Sequence, residues 1–155
     1  MNAKVSLRDV VASDLSHFFE HQLDPEAVRM AAFTPRQREA FDAHWAKILE
    51  NPEVDKRTIL LGQDVAGSIG SFDRDGLREV GYWIGRAYWG RGVATQALEL
   101  FLREVRHRPL FARVARHNLA SLRVLLKCGF EHWKEEEGSA DAEGNPVWEF
   151  VLMLN

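Results

Sequence analysis

The stretch from Glu79 to Arg116 constrains the fold more than any other part of this chain. "REVGYWIG", residues 78 to 85, reads as a strand and runs out into the aromatic segment that ends at Tyr88 and Trp89. Gly90-Arg91-Gly92 follows, and helical spacing starts at once. Leu98, Phe101, Leu102 and Val105, with Ala94 and Ala97, make one apolar stripe from about residue 93 to 106. "LFARVAR", residues 110 to 116, is again a strand. Two strands joined by one helix lie parallel in one sheet, and the crossover is right-handed.

The segments around this unit read differently. "KVSLRDV", residues 4 to 10, alternates as a strand, and Ser13 is expected to cap a short helix through Phe18 and Phe19. Asp24-Pro25 pairs an N-cap with proline at the first helical position. Thr34-Pro35 repeats that signal and predicts a longer helix carrying Phe41, Trp45, Ile48 and Leu49 on one face, stopped by Asn51-Pro52. "RTILL" and "VAGSIGSF" flank the turn Gly62-Gln63-Asp64, and "DRDG" turns the chain into the third strand of a hairpin series. After residue 116, Asn118 caps a helix with Leu119, Leu122, Leu125 and Leu126 on its face and Gly129 as its stop. Two strands close the chain, "FEHWKEE" and "PVWEFVLML", joined by the polar loop "GSADAEGN". No repeat or linker divides the chain, so residues 1–155 are expected to form one domain. The predicted class is α/β (α+β): a mixed, mostly antiparallel central sheet with helices on both faces.

Gly90, Arg91 and Gly92 have a chemical reading. The first turn of a helix presents N–H groups with no internal partner and a partial positive charge. Glycine lets an anion approach them, and Arg91 adds a permanent charge. Neither common nucleotide pattern is present: there is no G-x-x-x-x-G-K-[ST], and G-x-G-x-x-G fails at Thr95-Gln96-Ala97. A pyrophosphate is the ligand this turn suits.

Other classes are disfavoured. A net charge of -3 gives no general attraction to nucleic acid, so a reading built on Arg113, Arg116 and Arg123 is set aside. No run is apolar and long enough to span a membrane, and the first residues lack a secretory apolar segment, so a cytoplasmic protein is expected. Cys128, the single cysteine, sits among apolar neighbours in "LLKCGF" and reads as a small hydrophobe. No metal is expected.

A second motif, "NLASLRVLLKCGF" from Asn118 to Phe130, places Asn118, Ser121 and Lys127 on or beside one helix. Together the two motifs resemble the GNAT superfamily of N-acetyltransferases, most closely the branch of ribosomal-protein N-terminal acetyltransferases. "GYWIGRAYWGRGVAT" is similar to its acetyl-CoA signature Q/R-x-x-G-x-G/A, with Trp89, Gly92 and Ala94 at the matching positions. "N-x-x-S-x-x-V-x-x-K-x-G-F" is similar to that branch's second motif.

The resemblance implies an acyl-CoA N-acyltransferase fold with a splayed parallel strand pair. It also implies acetyl transfer from acetyl-CoA, as cosubstrate, to a primary amine (a small molecule or a protein N-terminus) by direct attack in a ternary complex. Trp83 and Ile84 would present main-chain groups to the pantetheine arm. Backbone N–H groups of Gly90, Arg91, Gly92, Val93, Ala94 and Thr95 would hold the pyrophosphate. Asn118 and Ser121 would approach the pantetheine and the sulfur. By the sign of their charge alone, the three arginines named above could instead neutralise the 3′-phosphate. Trp89 replaces the usual Gln or Arg. Leu125 stands where many members carry the tyrosine that protonates the leaving thiolate, which makes Ser121 the candidate to hydrogen-bond the sulfur.

Glu79 shares a strand face with Gly81 and Trp83 and is the candidate general base, ahead of Asp73, His44 and Glu137. Base demand depends on the acceptor. Near neutral pH an α-amine is roughly 30% unprotonated and a lysine amine about 0.1%. Met30 and Phe33, at an inter-helix break, are the candidate acceptor contacts. The alternative to an enzyme is a non-catalytic acyl-CoA-binding or sensing module on the same fold. A monomer and a homodimer both fit, and neither nucleic acid nor a membrane is an expected partner.

Overall fold

A computed structural model describes residues 3–138, 140, 141 and 143–155. The loop "GSADAEGN" therefore includes two positions, Ser139 and Ala142, outside the described residues. In chain order the elements are β1 Val5–Arg8, α1 Asp14–Gln22, α2 Pro25–Ala31, α3 Arg38–Glu50, β2 Asp55–Leu61, β3 Asp64–Arg74 and β4 Leu77–Ile84. A single 3-10 turn, Arg86–Tyr88, leads to α4 Val93–Glu104, β5 Leu110–Ala115, α5 Leu119–Lys127, β6 Glu131–Glu137 and β7 Trp148–Leu154. The sheet order is β1-β2-β3-β4-β5-β7-β6, antiparallel throughout except for β4 and β5. The expected mixed sheet and its parallel crossover are both present.

Alternation along the strands sends side chains to two helical layers. Ile59, Val80 and Ile84 join Ala97, Leu98 and Phe101 of α4 in the core. Leu98 and Phe101 are fully buried, and each contributes about 1.5–3 kcal/mol relative to exposure. On the opposite face Thr58 donates to the Asp14 carboxylate of α1 at 2.6 Å, and Trp83 Nε1 donates to the His21 carbonyl at 3.2 Å.

Local chemistry corrected several expectations. Ser13 makes no side-chain cap; it is itself in helical conformation. Asp14 instead ties down the turn before the helix, accepting Val11 N–H at 2.9 Å and both ends of the Arg8 guanidinium at 2.7 and 2.9 Å. The longer helix starts at Arg38 rather than at Thr34-Pro35. Proline holds the preceding residue extended. The buried Gln22 amide then pins the Arg36 backbone from both sides, donating to its carbonyl at 2.7 Å and accepting from its N–H at 3.3 Å. Leu49 leaves the expected apolar face of α3 and is exposed.

Asp24 and Asn118 cap as expected, accepting from Ala27 N and Ser121 N. α5 ends in a paired stop: Gly129 N–H reaches Leu126 O, and Phe130 N–H reaches Leu125 O, both at 3.1 Å, with Gly129 at φ +95°. That stop folds Phe130 onto Leu125, and both are buried. Leu119 and Leu126, expected on the inner face, are exposed instead.

Candidate active site

β4 and β5 are paired at a single position, Glu79 opposite Phe111, and part beyond it. Gly85 N–H still bonds Ala66 O at 2.8 Å on the β3 side. Hydrogen-bonded and non-bonded positions alternate along an antiparallel pair, so Tyr82 and Ile84 turn their peptide groups toward the gap. Trp89 occupies one of these groups, its indole N–H bonding Ile84 O at 2.9 Å. The polar residue expected by the family motif is thus replaced by an aromatic that closes the strand end.

A cleft of about 350 Å³ fills the gap. Tyr82, Trp83 and Ile84 form one wall, and Asn118, Ala120, Ser121 and Val124 of α5 the other. Gly90, Trp89 and Ala94 lie at one end, while Ala27, Met30 and Ala31 of α2 border it from across the sheet. The lining is apolar except for a small polar group. Tyr82 Oη and Ser121 Oγ are 2.8 Å apart, and Asn118 Oδ1 accepts Ser121 N–H at 3.2 Å. Burial pushes the Tyr82 phenol up to about 12, with the Ser121 hydrogen bond opposing and Cys128 adding to it.

At the cleft end, α4 begins without a side-chain cap. Gln96 is the first residue to bond back into the helix, to Gly92 O at 3.1 Å, so Val93, Ala94 and Thr95 N–H groups precede the ladder. Gly90 and Gly92 both adopt φ +74°, and a Cβ at Gly90 would meet nothing within 4 Å. An open anion cradle results, with exposed Arg91 beside it. Val93 buries its side chain in the core and so fixes the cradle to the sheet. These groups fit a pyrophosphate at the glycines and a thioester near Ser121.

The structure gathers Met30, Trp83, Ile84, Gly90, Ala94, Asn118 and Ser121 in this cleft, while Arg91, Gly92, Val93 and Thr95 frame its glycine end. Two candidates stand elsewhere. Phe33 packs edge-on against Trp83, with ring centroids 5.2 Å apart, and lines a second cleft of about 790 Å³. That cleft runs along the other side of α2, between Val28, Arg29, His117 and Trp148 and the loop residues Asp141 and Glu143.

Glu79, proposed as base from its strand face, is outside both cleft linings. It is buried, and its carboxylate accepts from Arg113 Nε at 2.8 Å with Arg74 at 4.0 Å. Arg113 also pairs with Glu136. Arg113 is therefore committed to carboxylates rather than free for a phosphate, and Arg116 lies over the Phe150 ring. Arg123 is exposed on α5. His44 also lies outside both clefts; burial, then Arg36 and Lys47, push its imidazole down.

Leu125, at the family tyrosine position, is buried in the core. The phenol near Ser121 comes instead from the sheet, a residue the sequence reading missed. Strand alternation was the available signal: Tyr82 lies on the face opposite Glu79, Gly81 and Trp83, toward α5. Cys128 is half-buried with Sγ 3.8 Å from Thr95 O. Burial, then Glu99, push its thiol up, opposite to what an activated nucleophile needs.

Among the described residues, no group of three or more His, Cys, Asp or Glu side chains could hold a metal ion, and no helix is long and apolar enough to cross a membrane.

Comparison with known proteins identifies the family and the fold. The family model described as acetyltransferase (GNAT) domain matches residues 4–131. Probable N-acetyltransferase YjcK of Bacillus subtilis (strain 168) is 35% identical over 79 residues, covering 48% of this chain and 42% of that protein. The match thus spans less than half the length of that relative. The spermidine N-acetyltransferase of Vibrio cholerae, solved with CoA and spermine, superposes with a TM-score of 0.85 at 13% identity, covering 97% of this chain and 94% of that one. A GNAT-family acetyltransferase from Bacillus anthracis gives 0.79 at 17% identity, covering 99% and 98%. Mycobacterium smegmatis RimJ, solved with CoA-disulfide, gives 0.78 at 18%, covering 97% and 81%. At these identities the superpositions establish the fold.

Proposed function

The chain belongs to the GNAT acetyltransferase family, and on that premise we propose that it transfers the acetyl group of acetyl-CoA to a primary amine by direct attack. The observation that carries this reading is that one cleft joins a glycine-lined helix start, Gly90 and Ala94, to a polar pair, Tyr82 and Ser121. In the proposed complex the N–H groups from Gly90 to Thr95 hold the pyrophosphate, and the Ile84 N–H faces the thioester carbonyl to stabilise its developing charge. Asn118 and Ser121 sit on the pantetheine and sulfur side. The amine lone pair forms the C–N bond, the C–S bond breaks with its electron pair going to sulfur, and the extra amine proton passes to solvent water. Cys128 takes no part.

The lining of this cleft also narrows the acceptor. It contains no carboxylate and no imidazole among the described residues. A thioester cleft that supplies no base of its own suits an amine that is already substantially neutral, such as an α-amine. The sequence likeness to N-terminal acetyltransferases favours the same class. Met30 borders the acetyl side, and Phe33 borders the second cleft, through which the acceptor enters. Glu79 is assigned a structural role at the strand divergence.

Calorimetric titration with acetyl-CoA, with adenosine 3′,5′-bisphosphate as control, followed by CoA-release assays on a panel of amines and N-terminal peptides, tests the reading. Binding with release stimulated by an amine supports it. Binding without release by any amine identifies an acyl-CoA-binding module. No binding removes the reading.

A further inference from the structure

The family tyrosine is absent from α5, yet a phenol lies against Ser121 from the opposite wall of the cleft. We propose that Tyr82 is a positioning residue: its O–H donates to Ser121 Oγ and so directs the Ser121 hydroxyl proton toward the departing sulfur. This rests on the acetyl-transfer reading above.

The argument follows from the inventory of donors. A serine hydroxyl has one proton and two lone pairs, and left alone it rotates among them. Here its backbone is held by Asn118 Oδ1 at 3.2 Å, and its oxygen lies 2.8 Å from the phenol. A phenol is the stronger donor of the two, so the bond runs from Tyr82 to Ser121, which leaves the serine proton to point elsewhere. Both residues line the cleft. Burial holds the phenol well above its ordinary range, with Cys128 the ionisable neighbour that adds to the effect. It therefore keeps its proton in the working range. Protonating a thiolate would be uphill for such a phenol, because an ordinary thiol is the stronger acid. Tyr82 thus differs from a proton-donating tyrosine. The thiolate leaves stabilised by a charge-assisted hydrogen bond from Ser121, and the phenol fixes the direction of that bond.

The test uses wild type, Tyr82→Phe, Ser121→Ala and the double variant. Binding of CoA and of desulfo-CoA, which lacks the sulfur, is measured by calorimetry as the pH is raised through the titration of the CoA thiol, where the thiolate forms. Wild type should prefer CoA by roughly tenfold, the size of one charge-assisted bond, and each single variant should lose that preference. In turnover, Tyr82→Phe should lower kcat about tenfold with little change in KM for acetyl-CoA, and the double variant should be no slower than Ser121→Ala. A merely structural phenol would move the melting temperature but leave the sulfur preference. Retained preference in Tyr82→Phe, or defects that multiply in the double variant, would overturn the proposal. If Tyr82→Phe does not fold, retained preference in Ser121→Ala overturns it equally. Wild type that binds neither ligand sinks the acetyl-transfer reading itself. Wild type that binds both equally leaves that reading standing and removes only the role of Tyr82.

Discussion

Glu79 and Arg113 bridge the two parallel strands at the position where they stop pairing, with carboxylate and guanidinium 2.8 Å apart. The pair pins the base of the splay while Tyr82 and Ile84, farther along β4, face the open cleft. The carboxylate is buried and engaged. Removing its charge leaves Arg113 with Glu136 alone. We expect Glu79→Gln to cost about 3–5 kcal/mol in denaturant unfolding. The shape of the pH–rate profile should stay that of wild type. Loss of an acidic limb from the profile would instead restore Glu79 as the base.

Gly90 separates conformation from contact. At φ +74° an alanine costs about 1–2 kcal/mol in backbone strain, and its methyl meets no neighbouring atom. Gly90→Ala should therefore stay folded with a modest loss of stability. If the pyrophosphate rests against this residue, acetyl-CoA affinity should fall by roughly tenfold or more, since a methyl would hold the phosphate off the N–H groups. Unchanged affinity by calorimetry would place the anion elsewhere.

Asp14 makes stability depend on acid. Burial opposes its charge, but Arg8, Thr58 and the Val11 N–H outweigh that and hold its carboxyl down to about 2. The folded value lies below the unfolded one, so the contribution is complete above about pH 4 and fades as the pH falls toward about 2, amounting to about 2 kcal/mol. Unfolding of Asp14→Asn measured across that range should lack this component of the slope. A slope equal to wild type would contradict the assignment.

Cys128 is expected to be a spectator. Its raised thiol pKa predicts slow alkylation by iodoacetamide near neutral pH, accelerating only above the ordinary thiol range. Cys128→Ala should keep kcat within about twofold of wild type. An acetylated Cys128 trapped by rapid quench would revive an acyl-enzyme route.

Much of the fold could be read from residue order because its signals are local. Asp24-Pro25, Asn118 and Gly129 act within one helical turn, and each does in the structure what its chemistry implies. Ser13 and Thr34-Pro35 carried the same local signals and failed, for reasons lying outside their own segments. Asp14, held by Arg8 and Thr58, fixes the entry to α1, and Ser13 makes no side-chain cap. Gln22 pins the Arg36 backbone ahead of α3, which starts only at Arg38. Such contacts join residues far apart in sequence, and periodicity carries no trace of them.

The same division governs the site. The sequence by itself determined the parallel β4–α4–β5 unit, the glycine cradle at its turn and the second motif from Asn118 to Phe130. Backbone geometry and helix ends follow from residues adjacent in the chain, and so they are legible there. Only the tertiary structure decided that Glu79 pairs with Arg113 outside the cleft lining, and that the phenol beside Ser121 is Tyr82 of β4. Which side chains meet across a gap depends on strand register and on where two strands diverge. Those are set by the packing of the whole sheet between its helical layers.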